Sequence, residues 1–187
     1  MLNLIVKTLG PNTSDSYKAT KVWLKNIKKS YKIILYDSFE ALFNELNIDD
    51  YIVMPLGYCN KSKKFMSSWV DYHFRFYKQL HIVDFFNKQT QKMVLLENVR
   101  FNKPGAVLQS ATYQFFASEI KKKEKVKFVS SKSKAFEIFI KEGYHYTICS
   151  ECVINNHLEY GNIKIIKEFN PVMFWVVYKF KKENENE

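Results

Sequence analysis

The residues best suited to chemistry stand together near the N-terminus, where the apolar run Leu4 to Leu9 gives way to Gly10-Pro11 and then to Asn12, Thr13, Ser14, Asp15 and Ser16. A strand that ends in a breaker followed by capping residues leaves backbone N–H groups and hydroxyls at one strand end. Such a place receives anions. The same residues also serve as an ordinary helix cap, since any helix start needs one. Two other groups invite a chemical reading and return little. Cys149 and Cys152 have a CxxC spacing, but one pair without a second pair or neighbouring histidines is a weak zinc or redox signature, and together with Cys59 they make no disulfide framework. His73, His81, His145 and His157 are scattered and fall into no triad or metal-ligand pattern.

Short strands alternating with amphipathic helices must position that loop. Leu2 to Leu9, Lys32 to Tyr36 and Tyr51 to Leu56 read as strands by length and by β-branched or aromatic content. Between them, Ser16 to Lys29 and Ser38 to Leu46 read as helices, the second with Phe39, Leu42, Phe43 and Leu46 on one apolar face. Strand, helix, strand, helix, strand implies parallel pairing. An aromatic-rich helix follows within Lys61 to Gln79. Leu80 to Phe86 and Lys92 to Glu97, joined by the polar stretch Asn87 to Gln91, carry the signature of a hairpin. After Pro104-Gly105 the alternation restarts: strand Ala106 to Gln109, helix Thr112 to Lys123, strand Val126 to Val129, helix Lys132 to Glu142, strand His145 to Cys149 and helix Cys152 to Tyr160. Ile163 to Phe169 and Met173 to Phe180 close the chain as strands. The expected class is therefore α/β with two lobes: residues 1–79 with about 163–187 in the first, a crossing hairpin at 80–98, about 99–162 in the second, and a polar tail at 181–187. Folds of this kind bind ligands at the carboxyl ends of their parallel strands.

A length of 187 residues and 47% hydrophobic content suit a sizeable globular unit. No apolar run approaches the ~20 residues of a membrane span, and the N-terminal run lacks a basic segment before it and a cleavage site after it. The expected location is the cytoplasm. A net charge of +10 suggests nucleic acid, but the lysines are scattered apart from the Lys121 to Lys125 run, and no zinc finger or RNA-recognition motif is present. What survives is a preference for small anionic ligands over cationic ones.

Several short motifs, in order, carry a family resemblance: Gly10-Pro11 with Ser14 or Ser16, Asp37 to Glu40, Tyr51 to Pro55, Phe128 to Ser133, and Tyr146 to Glu151. Over nearly the whole chain this order and spacing resembles the prephenate dehydratase catalytic domain. The resemblance implies a two-lobed, type 2 periplasmic-binding-protein-like fold holding prephenate between its lobes, with no regulatory ACT domain in these residues. The dehydratases' Asn-x-Thr-Arg-Phe motif, whose Thr and Arg are associated with loss of the C4 hydroxyl, is matched by Asn170 to Phe174, with Val172 and Met173 in place of Thr and Arg. Neither can donate a strong hydrogen bond, so aromatising dehydration is not expected. The chain is more similar to the bacilysin-pathway prephenate decarboxylases, which share Val-x-Thr-Leu-Gly-Pro (Val6 to Pro11), Pro-x-x-Tyr (Pro55 to Tyr58) and Met-x-Trp (Met173 to Trp175). It departs from them at Thr13, where they have Gly, and at Ala111, where they have His.

That likeness implies a non-aromatising lyase of specialised amino-acid or peptide-antibiotic biosynthesis. One carboxylate of the substrate would be anchored by Thr13, Ser14 and Ser16 with Ser131, Lys132 and Ser133, against walls of Tyr58, Met173 and Trp175. The other would leave as carbon dioxide from a poorly solvated place. By elimination, Tyr58, Cys59 and Glu151 are the candidates to deliver a proton to the ring. No metal or other cofactor is required. The alternative is a binding or sensing module that kept the fold and lost the chemistry. No nucleic-acid or membrane partner is expected, and a homodimer stays open.

Overall fold

The computed structural model describes residues 4–25, 27, 29–61, 66–154 and 161–183. In chain order the elements are β1 (Leu4–Leu9), α1 (Asp15–Leu24), β2 (Tyr31–Tyr36), α2 (Phe39–Asn44), β3 (Tyr51–Pro55), β4 (Cys59–Lys61), β5 (Met66–Ser68), α3 (Trp69–Arg75), β6 (Leu80–Gln89), β7 (Met93–Asn98) and β8 (Lys103–Gln109). A short 3-10 turn (Ser110–Thr112) leads to α4 (Tyr113–Glu119), β9 (Val126–Val129), α5 (Lys132–Glu142), β10 (Tyr144–Ser150), α6 (Glu151–Ile154), β11 (Ile163–Phe169) and β12 (Val172–Phe180). They sort into two compact units. One takes the chain to Tyr58, then Ser68–Lys88 and the stretch from Val172; the other takes Cys59–Ser67 and Gln89–Pro171.

The first unit is a sheet in the order β2-β1-β3-β12-β6, with β1 parallel to β2 and β3, and β12 antiparallel to β3. Both faces are covered, and the two-residue period of a strand decides which side chain meets which helix. Ile52, Met54, Val176 and Tyr178 pack with Phe39, Leu42 and Phe43 of α2 and Tyr72 of α3. Their neighbours Val53, Trp175 and Val177 point the other way, against Ala19 and Leu24 of α1. The helix α1 is shorter than its sequence suggests. After Leu24 the chain tightens into i→i+3 bonds, Lys25 N to Val22 O at 3.3 Å and Ile27 N to Leu24 O at 3.1 Å, a common way for a helix to close.

The second unit is a sheet in the order β11-β7-β10-β8-β9, with β8 parallel to β9 and β10, and β7 antiparallel to β10 and β11. The same alternation builds its core: Val94, Leu96, Val107 and Cys149 meet Ala135, Phe136 and Phe139 of α5, while Leu95, Ala106, Leu108 and Ile148 meet Phe116 of α4.

The expected hairpin at 80–98 does not form. The strand β6 joins β12 in one sheet, while β7 lies between β10 and β11 in the other, so the polar residues 90–92 carry the chain from sheet to sheet. The helix expected over Cys152 to Tyr160 is described only as Glu151–Ile154, and residues 155–160, His157 among them, lie outside the described residues. Among the described residues no helix is long and apolar enough to cross a membrane.

Candidate functional site

In each unit the polar candidates gather where the parallel strands end, because that is where strands hand over to helix caps. In the first unit β1 runs out at Leu9, and Gly10 N donates to Tyr36 O at 2.8 Å, tying the loop to the end of β2. Ser14 caps α1: its Oγ accepts from Tyr17 N at 3.1 Å and donates to Leu9 O at 2.9 Å. That hydroxyl is committed in both directions, the ordinary capping role. Ser16 is buried, and its carbonyl accepts from Thr20 Oγ1 at 2.9 Å. Thr13 is exposed.

The remaining first-unit candidates lie at the end of β3 and the start of β12. Tyr58 sets its ring edge-on against Phe39 (centroids 4.7 Å apart, 81° between planes) and packs on the α2 side of the core. Met173 lies over Gly57, where an added Cβ would come within 2.8 Å of the Met173 methyl. Trp175 pairs with Pro55 in register and is only 2% exposed, so its ring is core rather than an open wall.

In the second unit, β8, β9 and β10 end at Gln109, Val129 and Ser150. Ser131 caps α5, its Oγ accepting from Lys134 N at 3.1 Å while keeping its own proton to give. Lys132 and Ser133 occupy the first two helical positions, whose amides have no intrahelical acceptor by geometry. With no acidic residue in that first turn, the positive end of the helix dipole is left uncompensated there. Glu151 opens α6. One of its oxygens is 3.0 Å from Lys92 Nζ, which also reaches Glu168 at 2.8 Å, and these two carboxylates hold the lysine pKa above its ordinary value, Glu168 most strongly. Cys59 is half-buried in β4. Thr13, Ser14, Ser16, Tyr58, Met173 and Trp175 thus belong to the first unit, and Cys59, Ser131, Lys132, Ser133 and Glu151 to the second. Lys92 gives no sign in the sequence, since the partner it holds lies 59 residues away.

The CxxC pair is split by burial. Cys149 is fully buried, and burial pushes its thiol up to about 12 against the pull of Lys132, whereas Cys152 is exposed with Sγ 3.7 Å from Gln91 Oε1. A thiol held protonated is a poor nucleophile and a poor metal ligand. Iodoacetamide near pH 8 is expected to label Cys152 in the native protein and Cys149 only after denaturation, as peptide mass spectrometry would show. The same shift has a sign. The unfolded chain releases this proton near the ordinary value of ~8.5 and the folded chain holds it to about 12, so Cys149 makes stability fall as pH rises across that window. Denaturant titrations at pH 8 and pH 10.5 would measure the loss, with a Cys149→Ala variant losing less. Among the described residues no group of three or more His, Cys, Asp or Glu is placed to hold a metal ion.

No family model and no curated protein matches the chain. Solved structures do. A prephenate dehydratase from Arthrobacter aurescens in complex with L-Phe is 13% identical, with 96% of this chain and 61% of that one covered and a TM-score of 0.52. An ABC transporter protein from Parabacteroides distasonis is 14% identical, with 95% and 66% covered and a TM-score of 0.59. An arginine-bound ArgBP variant from T. maritima is 10% identical, with 97% and 89% covered and a TM-score of 0.51. The chain therefore spans less than two thirds of the dehydratase and about two thirds of the transporter protein. At these identities the likeness is one of fold: a two-unit α/β architecture of the periplasmic-binding-protein-like type, which the prephenate dehydratase shares.

Proposed function

We propose that this protein binds a small organic acid of prephenate-like size and charge, with the start of α5 receiving a carboxylate. The observation that carries this reading is the arrangement at Ser131, Lys132 and Ser133: a capped helix of 11 residues opening at the carboxyl ends of parallel strands, with a hydroxyl proton, a lysine and early helical amides together. The net charge of +10 favours the approach of an anion. Solved proteins of this fold were captured with arginine and with L-Phe, ligands of comparable size that also carry a carboxylate.

A second reading, prephenate decarboxylation without aromatisation, has one observation in its favour. Met173 lies against Gly57 beside exposed Val172, an apolar surface where dehydratases resembling this chain place a Thr-Arg pair. Such a surface weakens the hydration of a carboxylate, the step that loss of carbon dioxide needs. The bacilysin-like pathway role belongs to this second reading.

Calorimetric titration with prephenate and with phenylpyruvate, set against their neutral amides, tests the first reading, and mass spectrometry of the incubated prephenate tests the second. The acids are expected to bind and the amides to bind weakly. Lys132→Gln is expected to weaken binding about tenfold, in line with loss of one charge-assisted hydrogen bond. A non-aromatic keto acid as product would establish the lyase, unchanged prephenate with thermal stabilisation would establish the binding module, and failure of both acids to bind would overturn the proposal.

A further inference from the structure

The protein has three tryptophans, and their indole N–H groups are treated unequally. Trp23 Nε1 donates to Asp84 Oδ2 at 2.8 Å and Trp69 Nε1 to the Tyr178 hydroxyl at 2.9 Å. Trp175 Nε1 is buried and, among the described residues, has no acceptor. Buried donors without partners are rare because each forfeits the hydrogen bond it made to water in the unfolded chain. The cluster around Trp175 is built from Val6, Ala19, Leu24, Val53 and Val177, none of which has a side-chain acceptor. An internal water at this place would need two or more further polar partners, which those side chains do not supply.

The position of Trp175 shows where an acceptor can come from. It pairs with Pro55, the last residue of β3, at the same edge of the first unit's sheet as the Gly10-Pro11 loop. Alternation along β12 makes Met173 the next side chain on that face towards the edge, and Met173 is half-buried against the same cluster. An unbranched thioether with three rotatable bonds is the side chain best able to move aside without disturbing its neighbours.

We propose that the Trp175 indole N–H is a ligand donor, completed by an oxygen of a bound small organic acid once Met173 swings away. This rests on the reading of the protein as a binder of small acids and adds to it a specificity-determining residue. An indole N–H can only donate, so it favours a carboxylate or keto oxygen and offers nothing to an ammonium or amide N–H at the same place.

The test is a titration of the full chain, labelled with nitrogen-15 on its tryptophan indoles, with prephenate and with phenylpyruvate at neutral pH, the Trp175 signal being assigned by its loss in Trp175→Phe. At saturation the Trp175 indole proton is expected to move downfield, while those of Trp23 and Trp69, already bonded, hold their positions. Trp175→Phe is expected to weaken binding about tenfold. Should that variant fail to fold, the wild-type spectra decide alone, with Trp23→Phe and Trp69→Phe assigning the third signal by difference. Saturable binding with an unmoved Trp175 signal overturns this inference and leaves the acid-binding reading intact. No binding of either acid overturns both.

Discussion

Replacing Asp50 by alanine is expected to destabilise the protein by about 3–5 kcal/mol, the range for stranding one member of a buried ion pair. Lys7 on β1 and Asp50 just before β3 meet at 2.8 Å, with both side chains about 3% exposed. Around them the polar groups are nearly all engaged. Lys7 Nζ also donates to the Glu45 carbonyl and lies 5.8 Å from the centre of the Tyr36 ring, whose hydroxyl donates to Glu45 at 3.0 Å. Asp50 Oδ2 accepts from Asn47 N at 2.7 Å as well. Removing the carboxylate leaves a charged ammonium in the sheet and an unpaired amide in the loop, and neither can reach water without opening the α2 face. Asp50→Asn retains an acceptor for both and is expected to lose less. The double variant Lys7→Met with Asp50→Leu is expected to lie closer to the parent than Asp50→Ala, because it removes the desolvated charges together. Urea titrations of the three variants give the ordering, and an Asp50→Ala loss below that of Asp50→Asn would contradict the argument.

That pair shows where sequence reading stops. The strands around it were legible, since an apolar run of five or six residues between capping residues names a strand from local chemistry alone. The lysine inside β1 had no local explanation, because its partner lies 43 residues away and only the parallel pairing of β1 with β3 brings them together. The expected hairpin failed for the same reason: β6 and β7 each look like strands, but alternation does not name a strand's neighbour, and β6 finds β12 about ninety residues on. The three-residue strands β4 and β5 were too short to show any period. Among the site candidates, the caps at Ser14 and Ser131 were readable because a cap is a local event. The burial of Trp175 and the packing of Tyr58 were not, since an aromatic residue at a strand end looks the same in sequence whether it faces a ligand or a core. Pro104-Gly105 read as a break between elements. Both residues lie inside β8, next to an irregularity in its register with β10 between Tyr144 and Tyr146, where a proline and a glycine fit a bulge.

Gly105 therefore supports the second large prediction, a loss of about 3 kcal/mol or more for Gly105→Ala, combining backbone strain with displacement of a neighbouring strand. Its φ is +96°, a conformation that a side chain disfavours, and an added Cβ would lie 2.4 Å from the Lys125 carbonyl oxygen. That oxygen accepts from Ala106 N at 2.8 Å, the bond that starts the pairing of β8 with β9. Main chain cannot yield as a flexible side chain would, so β9 must shift. Five residues after Val126, the first residue of β9, stands Ser131, the cap of α5, and a displaced strand carries that helix start with it. Gly105→Ala is expected to weaken acid binding as well as lower the melting temperature. Two other glycines calibrate the effect: Gly143 closes α5 at φ +64° with Asn102 atoms 3.3 Å from an added Cβ, and Gly161 has nothing within 4 Å. Gly143→Ala is expected to cost about 1 kcal/mol, the usual penalty for a left-handed cap without glycine, and Gly161→Ala close to none. Melting curves and acid titrations on the three variants would rank them. If Gly105→Ala melted no lower than Gly143→Ala, the β8–β9 contact would not be rigid, and the link from that contact to the α5 cap would fail with it.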